Sequence, residues 1–309
     1  MAGSSKKVVY AALIGNSLIA LTKFVAAVMT GSSAMFSEGI HSVVDTGNQV
    51  LLLYGMHKAR KPADRQFPFG HGKEVYFWSF AVAIMIFAVG SGVSLYEGIV
   101  HTIHPEPIEN PYVNYVVLAF ALLFEGISWY FALTEFTKAK GKWGYIEAVH
   151  RGKDPTIFVV LFEDSAAMVG IVAAFLGVFL SHQTGLLYFD GIASIIIGLI
   201  LGGTAIWLAY ETKGLLIGES ANRPVEDAIR EIVSGCAGVE HVNELLTMHM
   251  GPEFILVNIS IDFSDTISAG ELETIISGLD TRIKETFPLV KRVFVEAESR
   301  RVADVVQES

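Results

Sequence analysis

The chain has 309 residues, 52% hydrophobic and only 17% charged, with a mean hydropathy of +0.48 and a formal net charge of −10. A soluble domain carries about 25% charged residues, so the composition argues against an ordinary water-soluble protein and for a membrane one. The acidity argues against nucleic acid as a partner, because phosphates need a basic surface, and the single cysteine, Cys236, excludes an internal disulfide and a Cys-rich metal cluster.

Six apolar stretches follow one another at 8–29, 33–57, 75–101, 112–136, 156–180 and 187–210. Each reaches the ~20 residues needed to cross a hydrocarbon core. The first reads as a span rather than a cleaved signal peptide: it is too long for an h-region, holds Asn16 and Lys23 and lacks an Ala-x-Ala exit, and no Arg- and Ser-rich transit segment precedes it. Basic residues lie on one side only. Lys6 and Lys7 precede the first span; Lys58, Arg60, Lys61, Arg65 and Lys73 lie between the second and third; Lys138, Lys140, Lys142, Arg151 and Lys153 lie between the fourth and fifth. The opposite links, 30–32, 102–111 and 181–186, contain neither Lys nor Arg. This asymmetry predicts cytoplasmic N- and C-termini, and the lack of a transit segment favours the cell's inner (plasma) membrane over an organelle.

Span two carries Glu38, His41 and Asp45. Their i, i+3, i+7 spacing puts all three on one helix face, with His41 and Asp45 one turn apart. Span five carries Glu163 and Asp164, adjacent and so about 100° apart around the helix. A charge at the bilayer centre costs at least ~2.5–3.5 kcal/mol, which makes such groups functional by default. Lys23 lies toward the outer end of its span, so the acidic groups are expected to lack a basic partner and to need protons or a cation. His41, Asp45 and Asp164 form the expected cation site, with Glu163, then Glu38 and Asn16, as further candidates. The bland alternative for each is a helix–helix hydrogen bond. One imidazole with carboxylates and no thiolate suits Zn²⁺, Co²⁺ or Fe²⁺ better than Ca²⁺ or Cu⁺. A mid-membrane site fits alternating access, and an imidazole titrating near physiological pH couples metal to protons.

After Tyr210 the pattern becomes charged and alternating. Residues 211–309 hold 9 Lys/Arg against 18 Asp/Glu, and so most of the net charge. A helix from Pro224 to Ser234, strands at 242–250 and 254–263, a helix at 268–286 opening on the capping pair Ser268 and Glu271, and a strand from Val290 to Ala297 give the order αββαβ. The expected fold class is therefore an α-helical membrane protein: a six-helix domain over 1–211 and a cytoplasmic α+β domain over 212–309. A domain as small as the tail is a natural dimerisation module.

Several fragments together resemble the cation diffusion facilitator family over nearly the whole chain. Thr30-Gly-Ser-Ser-Ala34 and His41-Ser-Val-Val-Asp45 resemble its first exit and its HxxxD motif. Pro62-Ala-Asp64 and Phe69-Gly-His-Gly-Lys73 resemble its cytoplasmic loop, and His104-Pro-Glu-Pro107 and Tyr188-Phe-Asp190 later landmarks. In span five the family's usual first ligand position is Val160, with Asp164 at the second. Leu161-Phe-Glu-Asp-Ser-Ala-Ala-Met-Val-Gly170, with Arg151-Gly-Lys-Asp-Pro155, is instead similar to the divergent branch that includes the ninth human zinc transporter.

The resemblance implies a homodimeric proton-coupled antiporter in the lipid bilayer, exporting Zn²⁺ from the cytoplasm, with a tail of ferredoxin- or metallochaperone-like type. The metal is cargo rather than cofactor. Three ligands, His41, Asp45 and Asp164, would be completed by Glu163, water or a neighbouring polar group. It also implies an eroded loop site at Asp64 and His71, where Phe67 stands at an often-His position. The tail positions of the family's binuclear site would be Asn243, Asn258, Glu296 and Glu298, with His241 and His249 nearby. Lys73 and Glu219 would form a charge lock between the membrane and soluble domains. Transport of Co²⁺, Fe²⁺ or Mn²⁺, or a transport-decayed sensor or scaffold, are the alternatives. An intramembrane metalloenzyme lacks its HExxH pair.

Overall fold

The computed structural model describes residues 2–300, and side chains over 16–300. It divides into two compact units. One comprises the chain up to His57 together with Val75–Lys213; the other comprises Lys58–Glu74 together with the chain from Gly214 on.

The first unit is helical: α1 (Ala2–Thr30), α2 (Ser33–Ala59), α3 (Glu74–Ile103), α4 (Pro111–Lys140), the short α5 (Tyr145–Arg151), α6 (Pro155–Thr184) and α7 (Tyr188–Ile217). Prolines open α4 and α6, where a missing N–H costs nothing, and the Asp154 carboxylate accepts from the Thr156 N–H to cap α6. Four of these helices, α3, α4, α6 and α7, are 30 residues each and apolar enough to cross a membrane. Of the six expected spans, these four meet that measure among the described residues. The described part of α1 from Asn16 is a shorter apolar helix. α2 has the length but not the hydropathy, because its inward face is polar: Ser33, Ser37, Glu38, His41, Ser42, Asp45 and Asn48 are all buried.

Hydroxyls and glycines set the helix contacts, as expected where apolar side chains gain little by leaving lipid. The Asp190 carboxylate of α7 accepts from Ser32 Oγ at 2.6 Å and from the backbone N–H groups of Ser33 and Ala34. A side chain of one helix thus caps the N-terminus of another and satisfies donors that α2 cannot satisfy itself. α3 contains a π-helical stretch, Ile86–Ser91, from which Ser91 Oγ donates to the Gly198 carbonyl of α7 at 2.8 Å. Where α3 and α7 cross, a Cβ on Gly98 would lie 2.6 Å from the Ile195 nitrogen, so the backbones approach too closely for any side chain. Met35, Val82, Ile86, Leu118, Phe158 and Ile197 form part of the buried apolar core.

The second unit has the order α8 (Arg223–Ser234), β1 (Val239–Gly251), β2 (Phe254–Phe263), α9 (Ala269–Thr286) and β3 (Val290–Ala297). The sheet order is β1-β2-β3, with β1 and β2 antiparallel and β2 and β3 parallel, the latter joined through α9. Ile255, Val257, Ile259 and Ile261 share one face of β2 by strand alternation. They pack with Ile229 and Val233 of α8 and Leu279 and Ile283 of α9. The capping pair at α9 is complete in both directions, Ser268 accepting from the Glu271 N–H and Glu271 from the Ser268 N–H. These bonds hold the Glu271 carboxyl below its ordinary range. The loop Lys58–Glu74 is part of this unit: Phe69 meets Phe294 edge-on at 6.5 Å, and the Gly72 backbone lies against Gly251.

The α3–α7 crossing can be tested. Gly98→Leu forces a side chain onto Ile195 and should cost about 1–3 kcal/mol or more, as overpacked cores do. Thermal melting of the detergent-solubilised protein reads this as a lowered Tm. Gly203→Ala, which meets nothing within 4 Å, should leave Tm unchanged or slightly higher.

Candidate metal centre

The α2 helix brings His41 and Asp45 to one face as their spacing requires. The His41 Nε2 lies 3.5 Å from Asp45 Oδ2, with the imidazole buried. Neither ring nitrogen of His41 makes a hydrogen bond, and neither does Asp45 Oδ1. Two metal-ligating groups one turn apart are therefore buried without the partners that buried polar atoms ordinarily have.

Glu163 and Asp164, on α6, diverge as adjacent helical residues must. Glu163 Oε1 accepts from Asn48 Nδ2 of α2 at 2.5 Å, while Asp164 Oδ2 accepts from Ser128 Oγ of α4 at 2.9 Å. Beside the second bond, Trp129 Nε1 donates to Ser165 Oγ at 2.9 Å. Each carboxylate is thus held by a neutral donor from a different neighbouring helix. Among the described residues no three His, Cys, Asp or Glu side chains converge closely enough to hold a metal ion. The structure joins His41 to Asp45 but does not draw Glu163 and Asp164 onto them.

Two buried charges alter the expected picture. Lys23 does not leave the acidic groups without a basic partner. It is fully buried, donating to Glu38 Oε2 at 2.9 Å and to Ser42 Oγ at 2.8 Å. Glu38 is therefore engaged in a helix–helix ion pair, the alternative reading of that residue. The pairing escapes sequence reasoning because α1 and α2 are antiparallel neighbours, so depth in one span does not give depth against the next. The second is Glu125 of α4, buried and interacting electrostatically with Lys23, Asp45 and Asp164. Its signal was available: an acidic residue in an otherwise apolar span meets the same rule that singles out Asp45.

In the second unit, Asp64 Oδ2 lies 3.0 Å from His71 Nε2, and its other oxygen accepts from the Gln66 and Phe67 N–H groups. The His71 and backbone bonds hold the Asp64 carboxyl below its ordinary range. On the sheet, Asn243 Nδ2 donates to Ser260 Oγ and the Glu298 carbonyl, Ser260 Oγ donates to Glu298 Oε2 at 2.7 Å, and Asn258 Nδ2 donates to Glu296 Oε1. These positions use one another as partners. His249 is buried, with Nδ1 3.4 Å from the Gly251 carbonyl, and His241 faces Asp262 across the strands. Lys73 and Glu219, the residues of the expected charge lock, belong to the same unit, and the Lys73 ammonium sits 3.7 Å from Met248 Sδ.

Comparison with known proteins adds a frame. The family described as cation efflux transmembrane domain matches residues 9–217. The proton-coupled zinc antiporter SLC30A9, mitochondrial, of Xenopus laevis is 33% identical over 263 residues, which are 84% of this chain and 47% of that protein. Metal tolerance protein C4 of Arabidopsis thaliana is 30% identical over 262 residues, 84% of this chain and 57% of that protein. This chain thus spans about half the length of these two relatives. The manganese efflux system protein MneP of Bacillus subtilis is 26% identical over 298 residues, 94% of this chain and 95% of that protein.

The Lys23–Glu38 pair yields a stability test. Lys23→Met strands Glu38 in the interior and should cost about 3–5 kcal/mol, whereas Lys23→Met/Glu38→Met should recover most of it. A double-mutant cycle on thermal unfolding measures both. A double variant no more stable than Lys23→Met would show the pair to be energetically idle.

Proposed function

The chain belongs to the cation efflux, or cation diffusion facilitator, family, and on that premise we propose that it is a proton-coupled antiporter exporting a divalent metal cation, Zn²⁺ before Mn²⁺, Co²⁺ or Fe²⁺. The observation that carries this reading is the buried His41 imidazole, without a hydrogen bond at either nitrogen, 3.5 Å from Asp45, a carboxylate on which the charges of Glu163, Glu125 and Asp164 also act. His41 and Asp45 supply two ligands from one helix, and Asp164 and Glu163 approach from α6. Loading exchanges neutral partners for the ion: Asp164 gives up Ser128, and Glu163 gives up Asn48.

The donor chemistry fits borderline cations. One imidazole with carboxylate oxygens and no thiolate favours Zn²⁺ and its first-row neighbours. The relatives' names support both zinc and manganese as cargo. Since ligands must be deprotonated to bind metal, each loading event releases protons and each release of metal takes them up. The helices then present the site alternately to either side. Basic links on one side orient the chain with both termini cytoplasmic in the cell's inner membrane. A relative named mitochondrial supports the same arrangement in an organelle, and membrane fractionation separates the two. The tail unit pairs two copies into a homodimer. A second reading, a metal sensor that no longer transports, draws on the separation of Glu163 and Asp164 from His41 and Asp45.

Proteoliposomes with an imposed pH gradient test the transport reading. Wild-type protein should accumulate Zn²⁺ in a gradient-dependent manner, and Asp45→Ala should reduce the rate to background. No wild-type uptake, or undiminished uptake by Asp45→Ala, overturns it.

Glu163→Gln separates direct ligation from bystander status. If Glu163 completes the coordination, calorimetry should show a severalfold weaker Zn²⁺ affinity and a changed number of protons released per metal. Unaltered values exclude it and leave water or another group as the fourth ligand.

A further inference from the structure

Lys23 is a cation that the chain carries into its own acidic interior. The ammonium is fully buried and donates two hydrogens to α2, one to Glu38 and one to Ser42. Among the described residues its third hydrogen has no partner, and an ammonium has three to give. Glu38 is likewise half used: its Oε1 has no hydrogen bond and lies against Gly170 of α6, where a Cβ would come within 2.5 Å of it. The charge of Lys23 also acts on Glu125 of α4 and on Asp45. It therefore reaches beyond its ion pair to the carboxylates around His41.

Packing alone does not account for this arrangement. A buried ion pair is seldom better than apolar residues of the same volume. The charge balance offers a reason. Glu38, Asp45, Glu125, Glu163 and Asp164 are buried carboxylates, and Lys23 is the buried ammonium among them. A divalent cargo offsets much of that negative charge when present. A carrier that has released its cargo must return with the same carboxylates compensated, since an uncompensated charge in a low-dielectric interior is prohibitive. A permanently tethered cation reduces the compensation that must come from solution.

We infer that Lys23 is the resident counter-cation of the metal-free carrier, a positioning residue whose charge permits the empty site to change the side it faces. It touches no cargo. The inference rests on the transport reading above, and it deepens that reading by dividing the cycle into a metal-loaded step that does not need Lys23 and a metal-free step that does.

The test compares two fluxes in the same proteoliposomes. Exchange of radioactive for unlabelled Zn²⁺, with metal on both sides, needs only the loaded carrier to move; net uptake needs the empty carrier to return as well. Lys23→Met should keep exchange near the wild-type rate and lower net uptake by about tenfold or more, the effect of ~1.4 kcal/mol. Lys23→Arg, which retains the charge, should keep both. Equal loss of both fluxes in Lys23→Met marks a structural role and overturns the inference, as does loss of neither. Should Lys23→Met fail to fold, Glu38→Gln serves, because it leaves the ammonium in place and removes one negative charge. The Zn²⁺ concentration for half-maximal exchange should then rise severalfold, and an unchanged value overturns the inference. Wild-type vesicles showing neither flux overturn the transport reading itself.

Discussion

An ionised carboxylate inside a helix bundle must find compensation nearby, and the arrangement of the membrane unit follows from how this chain supplies it. Five of the buried acidic groups show how differently this is done. Glu38 takes an ammonium from α1, Glu163 an amide from α2, Asp164 a hydroxyl from α4, and Asp190 the hydroxyl and backbone donors at the start of α2. Asp45 takes only the approach of His41. These donors come from three helices, α1, α2 and α4, so acid placement and helix packing are one problem rather than two. The same need turns the polar face of α2 inward and makes that helix too hydrophilic to pass as a membrane span by hydropathy.

The contacts that hold the bundle are of two kinds. Between α3 and α7 they are backbone-close, built on Gly98, Gly191 and Gly198 and on hydroxyls donating to carbonyls. Such contacts have one geometry, because no rotamer can relieve them. Between α2, α4 and α6 they run through neutral donors to carboxylates. The two kinds of contact thus join different pairs of helices.

The sequence discloses these features unevenly, for physical reasons. Periodicity and caps are local, so the alternation of β2, the Ser268–Glu271 capping pair and the Pro-led starts of α4 and α6 are readable within a few residues. The approach of His41 to Asp45 is readable for the same reason, since one turn separates them. Lys23–Glu38, Asn48–Glu163 and Ser128–Asp164 join different helices and depend on relative depth and rotation, which no single helix encodes. Glu125 differs: it was legible, but with no second ionisable group within a turn of it, its own helix offers it no charge to pair with. The π-helical stretch in α3 leaves no mark in residue type at all.

The loop Lys58–Glu74 has a bearing on how the protein is made. It belongs to the unit completed by residues from Gly214 on, yet about 140 residues of helix are synthesised between the two. While those helices insert, Gly72 and Phe69 have no Gly251 and Phe294 to lie against. The tail unit as it stands therefore includes a strap made soon after the second helix and long before the rest of the unit. Because loop-closure entropy rises only slowly with length, the delay costs little in final stability. Its cost is kinetic: until the tail has been made the strap lacks the partners it packs against, and a tail without the strap lacks a piece of its own surface.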